Sequence, residues 1–175
     1  MDKNILISPI SVGDVGLLRT VALQAYTDHY LHLWHDGGEW YMNKSFSITQ
    51  LTAELMDSNA RFYLIYAENE PVGFLKLNID APFQAVLGGD ALELERIYLT
   101  KAASGKGIGK EVVNFTITLA ATLHKKTIWL KVMDSSVNPI AFYTKQGFAI
   151  CGTHYLTMQT MKEEVRGMYL MKKEI

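Results

Sequence analysis

A glycine-rich run, Ser104-Gly105-Lys106-Gly107-Ile108-Gly109-Lys110, has residue types and spacing that can hold an anion. Alternate glycines remove Cβ atoms where backbone N–H groups converge, and a helix starting there adds the positive end of its dipole. A flexible strand-to-helix turn is the plain alternative, and the glycines alone do not separate the two. Upstream, Leu92-Glu93-Leu94-Glu95-Arg96-Ile97-Tyr98-Leu99 alternates and then turns apolar, as a strand does. The period of two puts Glu93 and Glu95 on one face, as a pair for proton handling or as a solvated edge. Downstream, Ile108, Val112, Phe115, Ile117, Leu119 and Leu123 follow helical spacing to about His124.

Two familiar phosphate motifs are excluded. A Walker A loop has four residues between its glycines and then Lys-Ser/Thr, whereas Gly105 and Gly109 enclose three and Glu111 follows Lys110. A dinucleotide fingerprint starting at Gly105 ends on Lys110, and one starting at Gly107 ends on Val112. A second stretch with chemical character runs from Tyr26 to Tyr41. Trp34, Trp40, Tyr30 and Tyr41 lie there among Asp28, Asp36 and Glu39, which suits a pocket for a cation or a core edge with a solvated acidic rim. His29, His32 and His35 fall three apart rather than at the i, i+4 spacing of helical metal ligands, and no Cys or carboxylate completes a zinc set, so no metal is expected.

These groups must be positioned by a chain of 175 residues with 49% apolar and 20% charged side chains, the size and make-up of one domain spanning 1–175. A net charge of −1 argues against a general nucleic-acid binder. No apolar run is long enough to span a bilayer, Met1-Asp2-Lys3-Asn4 leads into no secretory segment, and the single Cys151 fits a reducing, cytoplasmic setting as a buried packing residue.

In chain order, Ile5 to Ile10 reads as a strand stopped by proline. Asp14 is placed to cap a helix through Val15, Leu18, Val21, Ala22 and Ala25. Gly37-Gly38 is a break, and Ser47 with Gln50 is placed to box the start of a helix carrying Ile48, Leu51, Leu55 and Met56. Arg61–Tyr66 and Val72–Ile79 are strands around a turn at Glu68-Asn69-Glu70-Pro71, and 81–90 is a loop. After the long helix, Lys125-Lys126 suit its negative end. Thr127–Met133 is a strand, and Asn138 is placed to cap a helix from Pro139 to Gln146 that ends at Gly147. Phe148–Tyr155 and Val165–Met171 close the domain as an antiparallel pair.

Two motifs in register resemble the GNAT superfamily of acetyl-CoA-dependent N-acetyltransferases. The glycine turn is similar to the family's Gln/Arg-x-x-Gly-x-Gly/Ala pyrophosphate loop, with Ser104 departing from the Gln/Arg slot and Gly107 and Gly109 in the glycine slots. Asn138, Ala141, Tyr143, Gly147 and Phe148 are similar to the family's Asn…Ala…Phe/Tyr…Gly-Phe pattern. The likeness covers essentially the whole chain. It is nearest to polyamine acetyltransferases of the PaiA type, through 92–98, 126–130 and 141–143.

The resemblance implies an α+β (mixed α/β) GNAT acyl-CoA N-acyltransferase fold: a mostly antiparallel twisted sheet flanked by helices, with one parallel strand pair splayed near Leu99 and Met133. Acetyl-CoA is then the cofactor and coenzyme A the product. It would be held by backbone groups of Ile97, Tyr98 and Leu99, by Ser104, Gly105, Lys106, Gly107, Ile108, Gly109 and Lys110, and by Asn138, Phe142, Tyr143 and Lys145. In the same likeness Tyr143 is the general acid, Glu95 the base through water with Glu93 as backup, and the Leu99 N–H the donor to the thioester oxygen. The implied acceptor is a primary amine, foremost a polyamine such as spermidine or spermine, held by Asp28, Trp34, Asp36, Glu39 and Glu93. A protein N-terminus, lysine or aminoglycoside is the alternative acceptor within this class. A non-catalytic acyl-CoA sensor is the alternative outside it, though a sensor has no need of Tyr143. No nucleic-acid or membrane partner is expected, and monomer and homodimer both stay open.

Overall fold

The computed structural model describes residues 4–84 and 88–175, so the first three residues and part of the expected 81–90 loop lie outside the described residues. Among the described residues, seven strands form one sheet: β1 (Ile5–Pro9), β2 (Ala60–Ala67), β3 (Glu70–Asn78), β4 (Ala91–Leu99), β5 (Thr127–Met133), β6 (Ala149–Tyr155) and β7 (Gly167–Glu174). Their spatial order is β1-β2-β3-β4-β5-β7-β6. The helices are α1 (Val15–His29), α2 (Glu39–Ser45), α3 (Ile48–Met56), α4 (Ile108–Thr122) and α5 (Val137–Lys145). Every neighbouring pair is antiparallel except β4 with β5.

That parallel pair makes the site. Its pairing stops at Glu93 opposite Trp129, although both strands continue. Just beyond, Lys76 faces Arg96 and Leu77 faces Leu94, which leaves Glu95 as the extra residue of a β-bulge. A bulge bends its strand and adds twist, so β4 turns away from β5 where a cleft is needed.

Two apolar cores lie on either face of the sheet. On one, Leu92, Leu94 and Val132 pack under α4, with Ile97 and Leu99 against them. On the other, Phe74 and Met133 pack with Leu18, Tyr26, Trp34 and Phe46 from the α1–α3 layer. The α4 helix buries Ile108, Val112, Val113, Thr116 and Ala120. Thr116 tolerates the core because its hydroxyl donates to the Val112 carbonyl at 2.9 Å. Leu123, expected on that face, is 40% exposed, because the helix ends at Thr122 and His124 turns the chain with φ +57°.

Local signals hold in part. The Ser47 hydroxyl accepts from the Gln50 N–H at 3.2 Å, but the Gln50 side chain reaches forward to Glu54 instead of closing the box. Asp14 serves one turn earlier than expected, its carboxylate accepting from the Ser11 N–H at 2.9 Å. The β2–β3 hairpin turns on Glu68 and Asn69 alone, both at positive φ, with Pro71 already in the strand. The last helix starts at Val137 after Ser136, so Asn138 sits inside the first turn rather than capping it. The closing strand begins at Gly167 rather than Val165, which belongs to a short 3-10 turn.

Gly73 answers a close approach of two strands. A Cβ there would collide with the Tyr98 carbonyl oxygen and stand 3.1 Å from Leu99 Cα. We expect Gly73→Ala to cost about 1–3 kcal/mol, as overpacking does, seen as a lower urea midpoint. A midpoint equal to the parent's contradicts this.

Candidate active site

Where β4 and β5 part, a cavity of about 280 Å³ opens between the two cores. Tyr26, Tyr30, Trp34, Tyr41 and Tyr98 wall it on the α1–α2 side, and Met133, Met158, Met161 and Met168 add a thioether wall. Its roof is a strap from the β6–β7 connection. Met161 bridges Trp34, the His35 N–H donates to the Thr160 carbonyl at 3.0 Å, and the Lys162 N–H to the Leu33 carbonyl at 3.0 Å. Trp34 is fixed further by its indole N–H, which donates to the Tyr26 hydroxyl at 2.8 Å. Burial raises the Tyr26, Tyr30 and Tyr98 hydroxyls above the ordinary phenol value, so these walls are neutral.

Glu93, Glu95 and Arg96 give the cavity a charged side, and they are tied to Glu54, Lys76 and Asn78, which lie outside its lining. Lys76 Nζ lies 2.7 Å from Glu54 and 2.7 Å from Glu95, while Arg96 reaches Glu54 and Glu95 at 3.1 Å each. Each cation thus bridges both anions, closing a ring of two positive and two negative groups. Burial opposes ionisation of Glu54, but Arg96 and hydrogen bonds from Gln50 and Lys76 outweigh it and hold its carboxyl below the usual range. Asn78 Nδ2 donates to Glu95 and to Glu93, at 2.8 Å in both cases. The bulge therefore preserves the expected convergence of the two carboxylates.

Tyr143 reaches the same cavity through the end of α5. Gly147 has φ +88°, its N–H donates to the Thr144 carbonyl and the Phe148 N–H to the Tyr143 carbonyl, both at 3.0 Å. This is a Schellman ending, and its usual apolar contact is here the Tyr143–Phe148 ring pair at 5.7 Å. The Gly147-Phe148 signature thus positions Tyr143. Burial pushes the Tyr143 hydroxyl well above the phenol range, with neighbouring Tyr30 adding to it, so it keeps its proton at neutral pH.

The glycine turn lies where β4 leads into α4. Gly105 and Gly107 take φ +73° and +81°, and a side chain at either would meet open space, so their conformation rather than crowding asks for glycine. Gly107 is the N-cap of α4 and has no side chain to cap the first N–H groups, which suits an anion there. Gly109 serves packing instead: a Cβ would stand 3.4 Å from Phe142 of α5. The Ser104 hydroxyl donates to the Thr100 carbonyl at 3.3 Å and lies 3.5 Å from His29 Nε2. These residues fit the diphosphate of a nucleotide-linked thioester, and the β5-side edge of β4 beyond Glu93 fits its extended arm.

Of the expected acceptor residues, Trp34 and Glu93 line the cavity, but Asp28, Asp36 and Glu39 do not. Asp28 accepts from the Lys101 N–H at 2.8 Å, which holds its carboxyl low and ties α1 to the loop before the glycine turn. Asp36 accepts from the Trp40 and Gly38 N–H groups at 2.8 and 2.9 Å, also lowering its carboxyl, and so starts α2. Glu39 is exposed in the first turn of that helix. The structural duties of Asp28 and Asp36 explain two of the acidic residues in this aromatic stretch. Asn138 and Lys145 are exposed on α5. Cys151, expected to be buried, is partly exposed, with Sγ 3.4 Å from the Leu170 carbonyl. Asn78, Lys76, Arg96 and the four methionines carry no motif; in the sequence, only their strand and loop positions could have pointed to them.

A cleft at a splayed parallel pair, with a partly buried phenol and a carboxylate pair beside it, is the arrangement of an acyltransferase. Residues 20–148 match the acetyltransferase (GNAT) family, and the chain belongs to that family. Enzymes of this family use acetyl-CoA, and the chain is an N-acetyltransferase. It is 26% identical over 135 residues to an uncharacterised N-acetyltransferase in the pepI 3′ region of Lactobacillus delbrueckii subsp. lactis, covering 77% of this chain and 76% of that one. It is 27% identical over 89 residues to the spermine/spermidine N(1)-acetyltransferase of Bacillus subtilis, covering half of this chain and 59% of that one. Among solved structures, the PaiA N-acetyltransferase of Thermoplasma acidophilum in complex with coenzyme A superposes with a TM-score of 0.78 at 22% identity, over 98% of this chain and 99% of that one. The spermidine/spermine N-acetyltransferase SpeG of Vibrio cholerae superposes with a TM-score of 0.68 at 15% identity, over 97% and 92%. The sheet with one splayed parallel pair is thus the GNAT fold. Among the described residues, no helix is long and apolar enough to cross a membrane.

Proposed function

We propose that the protein acetylates a primary amine of a small molecule, with a polyamine as the acceptor class. The observation that carries this is the meeting of Tyr143, Glu93 and Glu95 in one cavity with aromatic and thioether walls. Acetyl-CoA supplies the acyl group as an activated thioester. The N-terminus of α4 with Ser104 to Lys110 binds its phosphates, helped by Asn138 and Lys145, and Ile97, Tyr98 and Leu99 present the strand edge to its arm. The Leu99 N–H is the donor to the thioester oxygen.

An ammonium has no lone pair, so the acceptor must first lose a proton. On hydrogen-bond geometry we assign the base to Glu93 rather than to Glu95. Both Glu95 oxygens are committed, Oε1 to Arg96 and Oε2 to Lys76 and Asn78. Glu93 spends only Oε2 on Asn78, and its Oε1 stands 3.7 Å from Lys131, beyond hydrogen-bond length. Glu93 Oε1 receives the proton, directly or through water, while Tyr143 holds its own for the departing sulfur.

The relatives that act on spermidine and spermine favour a polyamine. With Asp28, Asp36 and Glu39 outside the cavity, its distal ammonium groups lie over tyrosine faces and its methylenes along the methionines. A second reading comes from the charge balance of the lining, where Arg96 and Lys131 offset Glu93 and Glu95. That balance suits an acceptor with one ammonium and an apolar body. Comparing kcat/KM for spermidine, a monoamine of equal length and an arylalkylamine decides between them. Spermidine in front supports the first reading, the arylalkylamine in front the second, and a peptide N-terminus ahead of all three contradicts both.

Acetyl-CoA at 100-fold over Kd should stabilise the fold by about 2.7 kcal/mol, a rise in Tm of about 5–10 °C for a chain of this length. Gly107→Val, which puts a β-branched residue at φ +81°, should fold and lose that rise. An unaltered rise in the variant contradicts a phosphate site at this turn.

A further inference from the structure

Next to the charged lining of the cavity lies one link that the reaction so far leaves unused. Glu54, Lys76, Glu95 and Arg96 satisfy one another in a closed ring anchored on α3, β3 and β4. Glu93 stands outside that ring. Among the described residues, its one hydrogen bond to a side chain comes from Asn78, the last residue of β3 and its register partner across the strands. The same amide nitrogen gives its second hydrogen to Glu95. An NH2 group has two hydrogens, and here each goes to a different carboxylate. Lys131 of β5, an exposed residue, stands 3.7 Å from Glu93 Oε1.

We propose that Asn78 is the positioning residue of the base: it couples Glu93 to the rigid ion ring and keeps Glu93 Oε1 turned to the amine. The inference rests on the reading of Glu93 as the proton acceptor. Without Asn78, Glu93 loses its fixed donor and is free to swing toward Lys131, where its second oxygen is consumed as well. The cost then falls on removing the amine's proton, not on cofactor binding or on the acyl group.

That difference is measurable with two acceptors of equal length, a strongly basic alkylamine and a fluorinated analogue that is largely neutral at the assay pH. For Asn78→Ala we expect kcat/KM to fall about tenfold or more on the basic amine, part of the 10²–10⁴ that general base catalysis supplies, and to change little on the neutral one. The acetyl-CoA thermal shift should be unchanged. Asn78→Ser, which keeps one donor and a small side chain, should recover part of the loss and gives the same comparison if the Ala variant does not fold. Equal losses on both amines, or no loss on either, overturn the inference while leaving acetyl transfer intact. A parent protein that turns over neither amine overturns the proposed function and the inference with it.

Discussion

Tyr143→Phe lowers the turnover rate by roughly 10²–10⁴-fold, the range that a positioned proton donor supplies, while acetyl-CoA binding survives. The change removes one oxygen and almost no volume. The ring stays held by Phe148 at 5.7 Å and Phe142 at 5.1 Å, so the Schellman ending of α5 keeps its apolar contact. Burial holds the hydroxyl protonated through neutral pH, so the parent has a donor ready under any ordinary assay condition. Single-turnover rates with saturating amine isolate the chemical step from product release. A variant matching the parent there contradicts Tyr143 as the acid.

Glu93→Gln should cost a similar factor, roughly 10²–10⁴ in kcat/KM for a basic amine, with little loss of stability. Glu95→Gln should show the opposite balance. It removes one anion from the ring and leaves Lys76 and Arg96 sharing Glu54, so the main loss is in stability. Breaking a fully buried pair costs about 3–5 kcal/mol, and the partial exposure of Glu95 places the loss below that range. Urea unfolding and kinetics on the two variants separate the roles. If Glu95→Gln is the catalytically dead but stable one, the base is Glu95.

Much of the architecture can be read from residue spacing. The Thr127–Met133 strand matches residue for residue, and the glycine turn opens a helix, with glycines at its two positive-φ positions. The bulge in β4 also leaves a trace. Leu92 and Leu94 are two apart, Ile97 and Leu99 are two apart, but Leu94 and Ile97 are three apart, and all four belong to one core. An interval of three inside a period of two is how an extra strand residue looks in sequence.

The acceptor side was less legible. Asp28, Asp36 and Glu39 have the composition of a cation pocket, yet a carboxylate is equally suited to bonding the backbone N–H groups of a helix start or loop, as two of them do. Composition cannot tell these uses apart, because the difference lies in which backbone donors come within reach. The ion ring and Asn78 join residues from α3, β3 and β4 that are up to 42 positions apart. The methionine wall depends on a strap folding back onto Trp34. No local spacing encodes either.

In the proposed reaction this chain moves an acetyl group from acetyl-CoA to a small primary amine. Mixing the parent protein with acetyl-CoA and spermidine, then counting free thiol and N-acetylated amine in the same sample, tests it most directly. One thiol is expected per acetylated amine, with thiol release dependent on the amine and abolished or nearly so in Tyr143→Phe. Thiol release unaffected by every amine supplied, with acetyl-CoA bound and the protein folded, would contradict it.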